Sequence, residues 1–239
     1  MKSQEPDPNY FSSSSSSLVS STKWWSKETI AIVTGANKGI GFALVKRLAE
    51  LGLTVILTAR DVERGQRAVE SLSEKGLPVN FFQLDVSDPS SIEAFVSWFK
   101  SNFAALDILK VRNPNIKSIL EDEELSEEQI ERFVGLFLQS VKDGTWKSQG
   151  WPEIWTDYAV SKLALNAYTM VLAKRYEGEG ISVNSYCPGF TQTSMTQGQG
   201  SHTADEAAGV GARLLLLHPQ QLPTAKFYIG LDPFVKSNL

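Results

Sequence analysis

The stretch Thr34-Gly35-Ala36-Asn37-Lys38-Gly39-Ile40-Gly41 lies between an apolar run, Ile30-Ala31-Ile32-Val33, and a segment in which Ile40, Leu44, Leu48 and Leu51 recur at helical spacing. Strand, glycine-rich turn and helix start, in that order, are what the phosphates of a nucleotide require. Glycine lets the backbone approach a pyrophosphate closely. A helix N-terminus adds free N–H groups and the positive end of its dipole. The spacing is G-x-x-x-G-x-G rather than the commoner G-x-G-x-x-G, so its weight comes from its position after a strand and before a helix.

Working outward, Thr54 to Thr58 reads as a second strand ending at Ala59-Arg60-Asp61, followed by a polar helix over 63–75 that Gly76 and Pro78 stop. A third strand over 79–84 ends at Asp85-Val86. Asp88 or Ser90 then caps a helix with Ile92, Phe95, Val96 and Phe99 on one face, and Leu106 to Leu109 opens a fourth strand. Such alternation predicts an α/β fold with a doubly wound parallel sheet.

The rhythm breaks at Lys110. Between Val111 and Asp157 there is no strand pattern, only one helix with a capping box, Ser126 to Gln129, and an apolar face of Ile130, Phe133, Val134, Phe137 and Val141. The acidic run Glu121 to Glu124 reads as a solvated approach to that helix. Trp146, Trp151 and Trp155 either wall a pocket or simply pack. A helix over 155–176, a strand over 181–186 and the turn Cys187-Pro188-Gly189 follow. A helix from the capping box Thr203 to Glu206 runs on to His218, and the last strand covers 226–229.

At 239 residues and 42% apolar content the chain suits one α/β domain, expected over 24–239 and entered through Trp24 and Trp25 as packing residues. Residues 1–23, with Ser12 to Ser17 unbroken, read as a disordered tail. A net charge of −4 gives no basic field for nucleic acid or a membrane surface, and no apolar run has the length to span a bilayer. A single cysteine, Cys187, excludes an internal disulfide framework and fits a reducing, cytoplasmic setting; beside its turn it reads as a small buried apolar residue. His202 and His218, at a helix start and a helix end, read as capping or surface groups rather than metal ligands.

Tyr158 and Lys162 are four apart near the start of a helix, so they share a face. An ammonium near a phenol favours phenolate, which makes the tyrosine usable as a proton donor or acceptor near neutral pH. Combined with the nucleotide loop, the pair becomes specific. Thr34 to Gly41, Tyr-x-x-x-Lys at 158–162, and Pro188-Gly189 with Thr193 resemble the three motifs of the short-chain dehydrogenase/reductase family. The segment Trp24 to Glu28, the Gly-Ala-Asn-Lys-Gly loop and the long insert before Tyr158 (112–157) resemble its plant carbonyl reductase-like members, including the menthone- and salutaridine-reducing enzymes.

That resemblance implies a Rossmann-like fold, NADP(H) as cofactor and a small carbonyl or alcohol substrate, in a chain that is a monomer. Gly35, Asn37, Lys38, Gly39, Ile40 and Gly41 would form the cofactor loop, and Asp85 with Val86 would meet the adenine. Arg60, where NAD-preferring folds hold an acid, and Lys38 would pair with a 2′-phosphate, although Asp61 next door could still reach the ribose. Tyr158 would protonate the carbonyl oxygen, Lys162 would lower its pKa and hold the nicotinamide ribose, and Pro188, Gly189, Phe190 and Thr193 would line the nicotinamide.

The match also breaks. Where the family carries Asn-Asn-Ala-Gly, this chain reads Leu109-Lys110-Val111-Arg112. The family's next helix and its fifth strand, which ends in the serine that polarises the substrate carbonyl, have no counterpart. Ser118, Ser126 and Ser148 follow no strand and are not assigned that role. Two readings therefore stand: a carbonyl reductase, or a shortened relative that binds nucleotide without turnover or does not fold stably.

Overall fold

The computed structural model describes residues 23–110, 125–151, 156–218 and 223–230. The serine-rich tail, the departure at Val111 and Arg112, Ser118, the acidic run Glu121 to Glu124, and Trp155 lie outside the described residues. The described elements are β1 (Ile30–Val33), α1 (Gly39–Glu50), β2 (Thr54–Ala59), α2 (Val62–Ser73), β3 (Asn80–Gln83), α3 (Pro89–Asn102) and β4 (Ile108–Lys110). They continue with α4 (Glu127–Lys142), α5 (Thr156–Arg175), β5 (Ser185–Cys187), α6 (Ala204–Leu215) and β6 (Phe227–Ile229). Local signals set these bounds. Asp88 caps α3 by accepting from the Ser90 N–H, and the capping boxes at Ser126–Gln129 and Thr203–Glu206 both form.

Four strands form a parallel sheet in the order β3-β2-β1-β4, with Ile32 opposite Ile56 and Val33 opposite Lys110. The first crossover therefore leads to one side of β1 and a later one to the other. That makes the C-terminal end of β1 the point where the winding reverses, the usual place for a ligand in such a sheet. Both faces of β1 and β2 are covered: Val33, Val55, Leu57, Leu48 and Leu72 are fully buried against α1 and α2, while Ile32 and Ile56 back onto Phe95. Each such aliphatic side chain contributes about 1.5–3 kcal/mol of burial.

The structure corrects the sequence reading in three places. The strand expected over 181–186 is only Ser185–Cys187, and it pairs with β6 alone in a second, two-stranded parallel sheet. The edges of β4 and β5 thus do not pair with each other, and Leu109 on β4 is 54% exposed. On α3 only half of the expected face is buried: Phe95 and Phe99 turn inward with Trp98 and Phe103 in an aromatic cluster around Phe82 of β3, while Ile92 and Val96 are exposed. On α4, Ile130 and Phe137 are buried but Val141 is exposed. The tryptophan question resolves for Trp151 as packing, its ring 5.1 Å from both Phe133 and Phe137. The α4–α5 pair is clasped by Arg175 and Glu127 at 2.7 Å.

Trp24 ties the start of the described chain to the end of α6, its indole N–H donating to the Leu216 carbonyl at 3.0 Å. Helix α2 is seated by an unusually close approach at Gly65, where an added Cβ would sit 2.1 Å from a ring carbon of Phe81. Gly209, inside α6, has nothing within 4 Å of that position. Gly65→Val should therefore destabilise the fold by about 1–3 kcal/mol through overpacking, whereas Gly209→Ala should stabilise it by about 0.5–1 kcal/mol. Urea unfolding of the two variants checks both signs.

Candidate active site

The glycine-rich turn is bound to the sheet by one backbone hydrogen bond, from the Ala36 N–H to the Thr58 carbonyl at 3.0 Å. Gly35 and Gly39 take φ of 61° and 59°, which side-chain-bearing residues rarely adopt. Gly41 is needed for space: a Cβ there would lie 3.0 Å from the Ala36 Cα and 3.1 Å from the Gly35 oxygen. Helix α1 begins immediately after Lys38, whose side chain makes no capping bond, so its first N–H groups are left to an anion.

Seven of the residues read from the sequence meet in one cavity. Ile40 and Gly41 stand on the β1–α1 side with Val33, Thr34 and Leu44. Pro188, Gly189, Phe190 and Thr193 form the opposite wall, and Tyr158 reaches in from α5. The walls nearly touch at Gly39, whose added Cβ would be 3.5 Å from the Thr193 Cγ2. The Lys162 ammonium lies 5.3 Å from the centre of the Tyr158 ring, so the charge faces the aromatic system. Beyond Gly189 the chain closes into a compact loop. Ser201 N–H donates to the Phe190 oxygen and Gln192 N–H to the His202 oxygen, while the Thr193–Thr196 box holds a single 3₁₀ turn, Ser194–Thr196.

Sequence reasoning missed several members of this cavity: Tyr186, Met195, and the small face of α6 at Ala207, Ala208 and Gly211. Tyr186 is a structural phenol. Burial pushes it well above the ordinary tyrosine range, and its hydroxyl donates to the Ala207 carbonyl at 3.4 Å. Only its place beside Cys187-Pro188-Gly189 hinted at the site.

A second, shallower cavity adjoins the turn. Asn37, Lys38 and Phe42 line it from one side and Arg64, Arg67 and Ala68 from α2. Arg60, expected beside Lys38, lines neither cavity. Its charge acts instead on Asp85, whose carboxyl is held below the usual carboxylate range first by hydrogen bonds from the Ser87 hydroxyl and N–H, at 2.6 and 3.0 Å, and then by Arg60. Asp85 and the 61%-exposed Val86 likewise stand outside both cavities. Asp61 is committed elsewhere: it caps α2 by accepting from the Arg64 N–H at 2.9 Å and pairs with the Arg64 guanidinium at 3.4 Å.

A family model described as short chain dehydrogenase matches residues 29–148 and 147–204. The chain belongs to the short-chain dehydrogenase family. It is therefore a member of a family of oxidoreductase enzymes. It is 31% identical to (+)-neomenthol dehydrogenase of Arabidopsis thaliana, with 83% of this chain and 95% of that protein covered. It is 28% identical to carbonyl reductase (NADPH) 1 of Homo sapiens, with 80% and 91% covered. The solved structure of salutaridine reductase from Papaver somniferum superposes with a TM-score of 0.77 at 28% identity, covering 84% of this chain and 99% of that one. The alignment with the Arabidopsis protein runs over 283 positions, more than the 239 residues of this chain, so it crosses positions at which this family member has no residue.

Among the described residues no helix is long and apolar enough to cross a membrane, and no group of three or more His, Cys, Asp or Glu is arranged to hold a metal. Cys187 is buried, as the sequence suggests, and burial pushes its thiol up against the opposing hydrogen bond from the Gly189 N–H. The raised pKa keeps the group protonated as pH rises through the ordinary thiol range. Thiol labelling at pH 8 should therefore be slow in the native protein and complete in denaturant.

Proposed function

We propose that this chain is an NADP(H)-dependent oxidoreductase that reduces a ketone or aldehyde on a small apolar molecule. Tyr158 is the proton donor and Lys162 its activator. The observation that carries the reading is the entry of Tyr158 into the cavity formed by Thr34 and Gly41 on one side and Gly189 and Thr193 on the other. A nicotinamide cofactor supplies the hydride when bound. The chain's own part is to hold it and to move a proton. Gly35, Gly39, Gly41 and the start of α1 receive the pyrophosphate, while Pro188, Gly189, Phe190 and Thr193 border the nicotinamide. Asp85 and Val86 flank the adenine, Val86 offering an exposed apolar side chain. The Tyr158 hydroxyl gives its proton to the carbonyl oxygen, and the Lys162 ammonium stabilises the phenolate that remains.

An apolar substrate is supported by Phe190 and Met195, both more than half exposed on the rim of this cavity. A pyridine nucleotide carrying a 2′-phosphate is supported by the cations beside Lys38. The name of the human relative, which includes NADPH, points the same way.

One observation favours a second reading, a chain that binds cofactor with impaired turnover. The 283-position alignment exceeds the chain length, and the sheet is divided between β4 and β5. In the family a strand between these two ends in the carbonyl-polarising serine; no described strand stands there, and losing one such hydrogen bond costs roughly 10²–10³ in rate.

Melting with saturating NADPH and NADH, followed by NADPH oxidation with a panel of carbonyl compounds, separates the readings. At about 100 times its dissociation constant a ligand adds about 2.7 kcal/mol, so NADPH should raise the melting temperature by several degrees, more than NADH. With turnover present, Tyr158→Phe should lower it by about 10²–10⁴ and leave the NADPH shift in place. A shift without turnover selects the second reading. A sharp melt without any shift defeats both.

A further inference from the structure

Helix α4 buries one face and leaves a second apolar one in solvent. Ile130 and Phe137 are buried, and Phe133 and Phe137 meet Trp151. Turned away from them are Glu131, Gly135, Leu138 and Lys142, which are three or four apart and so share a face. Leu138 is 60% exposed there and Val141, beside it, 47%.

This face is complementary to itself. Glu131 and Gly135 are four apart, as are Leu138 and Lys142. When two copies of α4 lie antiparallel, the two-fold axis that sets Leu138 of one over Gly135 of the other also sets Lys142 opposite Glu131. In one register a large residue meets a small one and a base meets an acid, each of them twice. Gly135 is exposed, and nothing lies within 4 Å of where its Cβ would stand. Glycine inside a helix costs about 1 kcal/mol relative to alanine, and no neighbour among the described residues requires it at this position. Among the described residues neither Glu131 nor Lys142 forms an ion pair.

We infer that this face of α4 is an interface between two copies of the chain, an isologous antiparallel contact centred on Leu138 and Gly135. A foreign partner would have to supply the complement of the pattern, whereas a second copy already carries it. An isologous contact also closes at two copies. Exposed apolar side chains between complementary charges fit a small, reversible interface, because ion pairs at a rim orient partners more than they hold them. The dimer differs from the monomer that the family resemblance implies, and it does not depend on the nucleotide-binding function proposed above.

The test is sedimentation velocity of the full chain over a concentration series, with the thermal melt of each variant as the check on folding. The wild-type chain should pass from monomer to dimer as concentration rises, less readily at high salt. Leu138→Glu and Glu131→Lys should each weaken association about tenfold or more. Leu136→Glu, which alters an exposed leucine on another side of the helix, should leave it unchanged. Glu131→Lys combined with Lys142→Glu should restore it. All four side chains are exposed, so the melts should stay close to that of the wild-type chain. A chain that is monomeric at every concentration overturns the inference. So does a dimer broken by Leu136→Glu and not by Leu138→Glu, since it forms through another face. Failure of the double reversal to restore what Glu131→Lys removes overturns the antiparallel register, and assembly beyond two copies overturns the isologous arrangement.

Discussion

The hydrogen bond from the Ala36 N–H to the Thr58 carbonyl, at 3.0 Å, joins the glycine-rich turn to the end of β2, and both cavities depend on that junction. Ala36 is completely buried there, with Gly41 packed so closely behind it that a Cβ would press on its backbone. The consequence is geometric. The start of α1 is aimed over the end of β1, where the winding of the sheet reverses. Lys38 is thrown to the side facing α2, while Ile40 and Gly41 face Pro188 and Gly189. One backbone contact thus divides the region into an apolar cavity with a tyrosine in it and a basic cavity beside it.

That half of the molecule is made of consecutive strand–helix units, and α6, from the far end of the chain, completes its core. Leu44 and Leu48 of α1 meet Ala208 and Ala212 of α6, while Leu57 and Leu72 close the other end. The break lies further along. β4 has β1 on one side and no described partner on the other, and β5 has only β6. The exposed Leu109, Ile92 and Val96 all lie on β4 or on α3, the helix that leads into it.

The two tyrosines of the apolar cavity show how environment separates like residues. Tyr186 donates its proton to a backbone carbonyl and is held neutral by burial, so it serves packing between β5 and α6. Tyr158, one turn from Lys162 on α5, has the ammonium over its ring. Sequence spacing identified the second tyrosine because the lysine is local to it. The first could not be singled out, since nothing near Tyr186 in the chain announces Ala207.

What the sequence by itself determined was carried within a few residues: the strand–turn–helix at 30–50, the helix caps at Ser126 and Thr203 and a third at Asp88 or Ser90, the buried character of Cys187, and the pairing of Tyr158 with Lys162. Caps, turns and periodicity act over one or two helical turns, so one chain segment suffices to read them. Only the tertiary structure decided the rest. It set Arg64 and Arg67 beside Lys38 along the second cavity, because the contact of Gly65 with Phe81 fixes how α2 lies against β3. It brought Trp98 beside Phe95 on α3 and left Ile92 and Val96 exposed, because Phe82 on β3 offers an aromatic surface there. Among the described residues it left β4 and β5 in separate sheets, because strand pairing depends on which neighbour is available across space.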